Sequence, residues 1–173
     1  MKRFLFLGLF STVLLFSCKD ETNQSQIDIE QNIVTVSITA KDIDSISYNE
    51  YILDAPTLIT LKGWDRYFEL KTNIDQLKTG DVSFFYDNSD AIKTLIEGLK
   101  SGLPKQGDTP AVRARLTALE NMILKLESSI NQHNSTKIER INNIKEVLVA
   151  FSNLNLQINK KFEKESQNIQ KPQ

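Results

Sequence analysis

The chain has 173 residues, with 21 basic and 22 acidic side chains, one histidine and one cysteine. This near-balanced charge gives no strongly basic domain, so nucleic acid is not an expected partner. Charged residues make up 25% and hydrophobic residues 40%, which is typical of a globular protein.

The first seventeen residues have the pattern of a secretory signal peptide. Lys2 and Arg3 give a positive start, and a mainly apolar run follows over residues 4–16. This run is shorter than the roughly 20 residues that a membrane-spanning helix needs. Its length and flanks are those of the hydrophobic region of a signal peptide. We therefore predict a signal peptide over residues 1–17.

Cys18 follows that run in the sequence Leu15-Phe16-Ser17-Cys18. This pattern resembles the lipobox of bacterial lipoproteins, although Phe16 is bulkier than is usual there. The resemblance implies that the Cys18 sulfur takes a diacylglycerol and that cleavage occurs before Cys18. The alternative is an ordinary secreted protein cut near Ser17, with Cys18 left as a free thiol. Lipidation explains better why a lone cysteine stands in an exported chain, and it predicts a membrane anchor.

Charged and polar residues follow the cysteine. Lys19-Asp20-Glu21 resembles the surface-export signal of Bacteroidota lipoproteins, which implies an outer membrane lipoprotein displayed on the cell surface. The alternative is that these charges belong to a solvated tether and that the protein faces the periplasm. The polar composition of residues 18–32 predicts a flexible tether between lipid and domain.

Removing 17 of the 173 residues leaves 156, which is enough for one domain with a real core. Removing Lys2 and Arg3 leaves 19 basic residues against 22 acidic ones, so the mature chain is weakly acidic. Residues 33–56 begin with Val34, Val36 and Ile38 in alternation with polar residues. This alternation favours a strand, but no later strand is available for pairing, so an extended or irregular arm is the alternative.

Apolar residues at three- and four-residue steps predict a helical bundle domain over residues 57–165. The predicted helices cover residues 57–77, residues 89–101, a stretch that begins after Thr109-Pro110, and a last stretch capped by Ser135 or Thr136. Thr79-Gly80 is a stop signal for the first of them. The fold class that we predict is all-α, an antiparallel helical bundle of about four helices behind a flexible N-terminal tether. Residues 166–173 are predicted to be a disordered tail.

The last two predicted helices carry heptad spacing. The seam positions are Val112, Leu116, Leu119, Ile123, Leu126 and Ile130 on one helix, and Ile141, Ile144, Leu148, Phe151, Asn155, Ile158 and Phe162 on the other. A short turn joins the two helices, which predicts a long antiparallel C-terminal hairpin. Asn155 on this seam is either buried, where it would fix the helix register, or exposed near a frayed end.

Few residues offer catalytic or metal-binding chemistry. His133 falls in a predicted turn, where a solvated role is expected. With Cys18 assigned to lipidation, we expect no zinc ligand cluster and no Ser-His-Asp or Cys-His nucleophile system. Asp81, Asp87 and Asp90 do not have calcium-loop spacing, and helix capping explains Asp87 and Asp90. We predict no catalytic residues, no metal site and no cofactor.

Aromatic residues form two clusters. Phe84-Phe85-Tyr86 could be an exposed contact for a partner or glycan, but a plug at one end of the bundle is favoured. Trp64, with its neighbours Tyr67 and Phe68, is expected to lie in the core.

Three segments resemble parts of uncharacterised flavobacterial (Bacteroidota) lipoproteins. They are Tyr51-Ile52-Leu53-Asp54, residues 77–85 around Thr79-Gly80-Asp81, and residues 151–164 around Asn153-Leu154-Asn155. The resemblance covers most of the chain from about Tyr51 onward. It implies a shared lipoprotein architecture and transfers no activity.

Three function classes remain. The first is a non-catalytic interaction or scaffold module that binds a protein partner of the cell envelope. The second is a carrier of a small apolar or glycan ligand, which needs a cavity of roughly 300 Å³ or more. The third is a carboxylate-dependent enzyme, which needs clustered carboxylates with shifted pKa values. The regular seams and the lack of ligand motifs favour the first class.

Overall fold

A computed structural model describes residues 37–167, and every regular element in that range is helical. The elements are α1 (Ala40–Asp44), α2 (Ala55–Thr60), α3 (Asp65–Lys78), a 3₁₀ turn (Ser83–Phe85), α4 (Ser89–Ser101), α5 (Pro110–Asn131) and α6 (Lys137–Ser166). The predicted all-α bundle with a long C-terminal hairpin is confirmed. Within residues 37–167, no helix is both long enough and apolar enough to span a membrane.

The α5–α6 hairpin is the centre of the bundle. The predicted α5 seam is buried along its whole length, and α6 buries Ile144, Val147, Leu148, Phe151, Leu154 and Ile158. Thr109 and Thr136 cap the two helices as predicted, since their side chains accept hydrogen bonds from the backbone N–H of Val112 and Glu139. Heptad spacing in the sequence therefore identified the main core interface.

The shorter helices complete the core. α3 buries Tyr67, Leu70, Ile74 and Leu77, and α4 buries Ile92, Leu95, Ile96 and Leu99. Trp64 is buried at the start of α3, and its Nε1 donates to the carbonyl oxygen of Leu99 at 2.9 Å. This bond ties the start of α3 to the end of α4 and confirms Trp64 as a core residue.

The single helix predicted over residues 57–77 is wrong, because α2 ends at Thr60 and α3 begins at Asp65. The turn between them contains Gly63, whose backbone freedom makes it a poor helix former. Leu61 and Trp64, on either side of Gly63, are both buried.

The possible strand at the start of the domain does not form in its described part. Residues 33–36 lie outside the described range, and residues 37–39 lead directly into α1. Thr39 and Asp42 form a capping box at the start of this helix, and Lys137 on α6 lies 2.8 Å from the Asp42 carboxylate. Local capping thus satisfies polar groups that a strand would leave without a partner.

Gly80 stops α3 as predicted, and the fold requires glycine there for two reasons. Its φ is +86°, in the left-handed region that glycine favours. A Cβ at this position would also lie 2.7 Å from the backbone carbonyl carbon of Thr39. The close approach of these two backbones brings the start of α1 against the end of α3.

The aromatic cluster after α3 divides into buried and exposed parts. Phe85 is fully buried, which confirms its expected burial. Phe84 is half-buried against the core and meets Phe85 edge to face at 5.3 Å between ring centroids. Tyr86 is 67% exposed. At the far end of the chain, Ser166 is the last residue of α6, and residues 168–173 of the predicted tail lie outside the described range.

Candidate functional site: the hairpin groove

A groove of about 570 Å³ runs between α5 and α6 on the outside of the hairpin. Its apolar lining comes from Ala118, Met122, Val149 and Ala150, and its polar lining from Arg115, Asn142, Lys145, Glu146 and Asn153. The four apolar residues are half-buried, whereas Arg115, Asn142 and Lys145 are exposed. We call this feature the hairpin groove.

The groove follows from a second helical stripe on each helix. On α6 its lining residues recur at steps of three and four, as the buried seam residues do, but on the neighbouring face of the helix. The small side chains of Ala118 and Ala150 leave the space between the helices unfilled. The result is an apolar channel open to solvent, bordered by long polar side chains.

Of the three charged residues that line the groove, the acidic one has an ion-pair partner and the two basic ones have none in the described range. Glu146 pairs with Lys125 at 2.6 Å across the two helices. Arg115 and Lys145 make no ion pair with any residue of the described range 37–167. The charge left available to a ligand in the groove is therefore positive.

The two free cations lie towards opposite ends of the groove. The Lys125–Glu146 ion pair shows that these two residues lie level with each other across the hairpin. Lys145, which precedes Glu146, therefore lies close to the position of Lys125. Because α5 and α6 are antiparallel, Arg115, ten residues before Lys125, lies about 15 Å further along the groove at a rise of about 1.5 Å per residue.

On another face of α6, three polar side chains hold a strap formed by residues 49–54, a segment without helix or strand that leads into α2. Ser152 Oγ accepts from the N–H of Tyr51 and donates to the carbonyl of Asn49, both at 2.7 Å. Asn159 likewise donates to the carbonyl of Ile52 at 2.7 Å. Side chains of the helix therefore satisfy the backbone of the strap in place of a neighbouring strand.

Asn155 is the buried member of this group, at 2% exposure. Its Nδ2 donates to the carbonyl of Tyr51, and its Oδ1 accepts from the Tyr67 hydroxyl, both at 2.9 Å. Burial raises the pKa of that hydroxyl well above its ordinary value of 10. Of the two alternatives for Asn155, the buried position is confirmed. At this position of the α6 seam, the Asn155 side chain contacts the strap and α3.

The carboxylates singled out in the sequence are not brought together as a metal site. Among residues 37–167, no group of three or more histidine, cysteine, aspartate or glutamate side chains could hold a metal ion. Asp81 accepts from the N–H of Ser83, and the hydrogen bonds with Ser83 lower the pKa of its carboxyl. Asp90 lies in the first turn of α4.

Contrary to the prediction, Asp87 does not cap α4. It has a φ of +47° and donates its backbone N–H to Asn131 Oδ1 at 2.8 Å. The N-cap is Asn88, whose side chain makes no capping bond and donates instead to the carbonyl of Phe84.

The remaining predicted residues fall in two groups. His133 is exposed in the turn between α5 and α6. Cys18 and the export residues Lys19, Asp20 and Glu21 lie outside the described residues, as do the signal peptide 1–17 and the tether 18–32.

Comparison of the chain with protein-family models, with curated proteins and with solved structures finds no match in any of the three.

Proposed function

We propose that this protein is a membrane-anchored bacterial lipoprotein whose helical domain is a non-catalytic interaction module of the cell envelope. The hairpin groove is the observation that supports the interaction role, because it leaves apolar surface of the two longest helices uncovered. The anchor rests on the sequence around Cys18. Lys19-Asp20-Glu21 supports the outer membrane and display on the cell surface, and the resemblance to flavobacterial lipoproteins agrees with both.

A groove between two helices suits the binding of another protein element. Amphipathic segments commonly bind by placing an apolar face in such a groove, without any special chemistry in the receptor. The domain core offers less room, since the space beneath the strap, next to Tyr48 and Phe151, is too small for a water molecule.

A carrier of a small apolar or glycan ligand is the second candidate, and the groove volume favours it. At about 570 Å³ the hairpin groove exceeds the roughly 300 Å³ that a small-ligand site needs. The groove is open along the hairpin, however, and a carrier usually buries most of its ligand. We therefore rank protein binding first.

A carboxylate-dependent enzyme has the least support. General acid catalysis by a carboxyl group near neutral pH needs a raised pKa. The carboxyl shifts in the described range go the other way: ion pairing with Lys137 lowers the pKa of Asp42 to about 2, and Arg113 lowers that of Asp108. These carboxylates stay ionised, and they serve a helix cap and an ion pair.

Localisation is the first test of the proposal. Cys18→Ser is expected to abolish incorporation of labelled palmitate, because the acylated sulfur is lost. Alanine at Lys19, Asp20 and Glu21 is expected to retain the label but protect the protein from protease added to whole cells. Labelling of Cys18→Ser equal to that of the unaltered protein would contradict the anchor. Unchanged protease access in the triple variant would contradict the export signal alone.

Site-specific photo-crosslinking in intact cells tests the interaction role. A benzoylphenylalanine at Asn142, on the exposed edge of the groove, is expected to give one discrete crosslinked protein band. The matched control places the same probe at Lys93, on the exposed side of α4. The same bands from both positions, or none from Asn142, would contradict an interaction through the groove.

A further inference from the structure

We infer that the hairpin groove binds an acidic amphipathic helix of a partner protein. This inference rests on the proposed interaction role and adds the secondary structure and the charge of the partner. It follows from the shape of the groove, from the backbone chemistry of its walls and from its two free cations.

The walls of the groove favour a helical partner. Both walls are α-helices, whose backbone N–H and C=O groups are bonded within the helix. An extended segment would find no backbone partners there, and its own polar groups would be desolvated at a cost. A helix satisfies its own backbone and presents apolar side chains to Met122 and Val149. Ala118 and Ala150 leave room for the partner to come close.

The free cations favour acidic residues beside the apolar stripe of the partner. Arg115 and Lys145 have no ion pair in the described range, whereas the acid of the groove, Glu146, is already paired. The two cations are separated by about 15 Å along the groove, which corresponds to about ten residues of a docked helix. Acidic residues at that spacing would meet both ends of the groove.

A second copy of the chain is a poorer occupant of the same groove. In a two-fold dimer through this face, each copy would contribute the same patch. Arg115 and Lys145 of both copies would then enter one interface, with Glu146 already neutralised by Lys125. Like charges brought together oppose association, so a partner with acidic flanks fits better.

Synthetic peptides of about 18 residues test the inference, because that length spans the groove at about 1.5 Å per residue. One peptide carries a leucine stripe at steps of three and four residues, flanked by glutamates about ten residues apart. The second has lysine in place of each glutamate. The third has the composition of the first in an order without a stripe. Binding to the mature chain carrying Cys18→Ser is followed by fluorescence anisotropy.

The glutamate peptide is expected to bind at least about ten-fold more tightly than the other two. The double variant Arg115→Glu, Lys145→Glu is expected to reverse the preference towards the lysine peptide. Lys93→Glu is the matched control and should leave all affinities unchanged. Binding of the glutamate peptide should also weaken as salt is added, since the charges involved are exposed.

Several outcomes would overturn the inference. These are equal binding of the glutamate and lysine peptides, binding that Arg115→Glu, Lys145→Glu leaves intact, and binding of labelled palmitate but no peptide. A dimer in sedimentation that is lost in the double variant would instead assign the groove to a second copy. If the Asn142 probe captures a partner while the glutamate peptide fails to bind, the inference fails and the interaction role stands.

Discussion

Leu119→Ala is expected to lower the free energy of unfolding by about 2–5 kcal/mol, the usual cost of truncating a buried leucine. Leu119 is fully buried at the middle of the α5 seam. Truncation removes three carbons from contact with the core and leaves a cavity between rigid helices that cannot readily collapse. The loss therefore includes both the transfer free energy of the side chain and the cavity term.

Urea titration followed by circular dichroism at the helix band measures this change. Leu124→Ala is the matched control, because Leu124 lies on the same helix and is 38% exposed. Its replacement should cost at most about 1 kcal/mol, since solvent already reaches the side chain. A cost below about 0.5 kcal/mol for Leu119→Ala, or an equal cost for both variants, would place Leu119 outside the main core.

The parts of the fold that sequence predicts well are those with a strong repeating pattern. The α5 and α6 seams repeat over many residues, and Thr109-Pro110 and Thr136 mark where the helices begin, so their faces and starts could be predicted. The break between α2 and α3 was missed because apolar spacing continues through Gly63. Asp54 caps α2 by accepting from the N–H of Thr57 at 2.8 Å. With Pro56 two residues later, it is the signal for a helix that starts before residue 57.

The candidate site was harder to predict, for a physical reason. Ala118, Met122, Val149 and Ala150 have helical spacing, but spacing alone does not tell which helix face the rest of the chain leaves uncovered. That depends on where α3 and α4 pack. The polar side chains of α6 that hold the strap could be predicted only in part. The heptad seam points to Asn155, but the roles of Ser152 and Asn159 depend on the strap, whose position the sequence does not indicate.

Asn155→Ala is expected to lower the free energy of unfolding by about 2–4 kcal/mol, which is large for a polar residue. The substitution removes the partners of the Tyr67 hydroxyl and of the Tyr51 carbonyl. A buried polar group left without a partner costs about 1–3 kcal/mol, and the Tyr51 carbonyl can recover part of that loss from water near the strap. Chemical denaturation of the variant measures the change.

A double-mutant cycle with Tyr67→Phe identifies the source of that cost. Tyr67→Phe removes the hydroxyl that Asn155→Ala would leave without a partner, so Asn155→Ala should cost about 1 kcal/mol less in the Tyr67→Phe background. Asn153→Ala serves as the control on the same helix, since Asn153 is half-buried and lines the groove. Its replacement should change stability by no more than about 0.5 kcal/mol. Additive costs in the cycle would show that the hydroxyl bond does not stabilise the fold, and the strap contact alone would then explain why an asparagine occupies the seam.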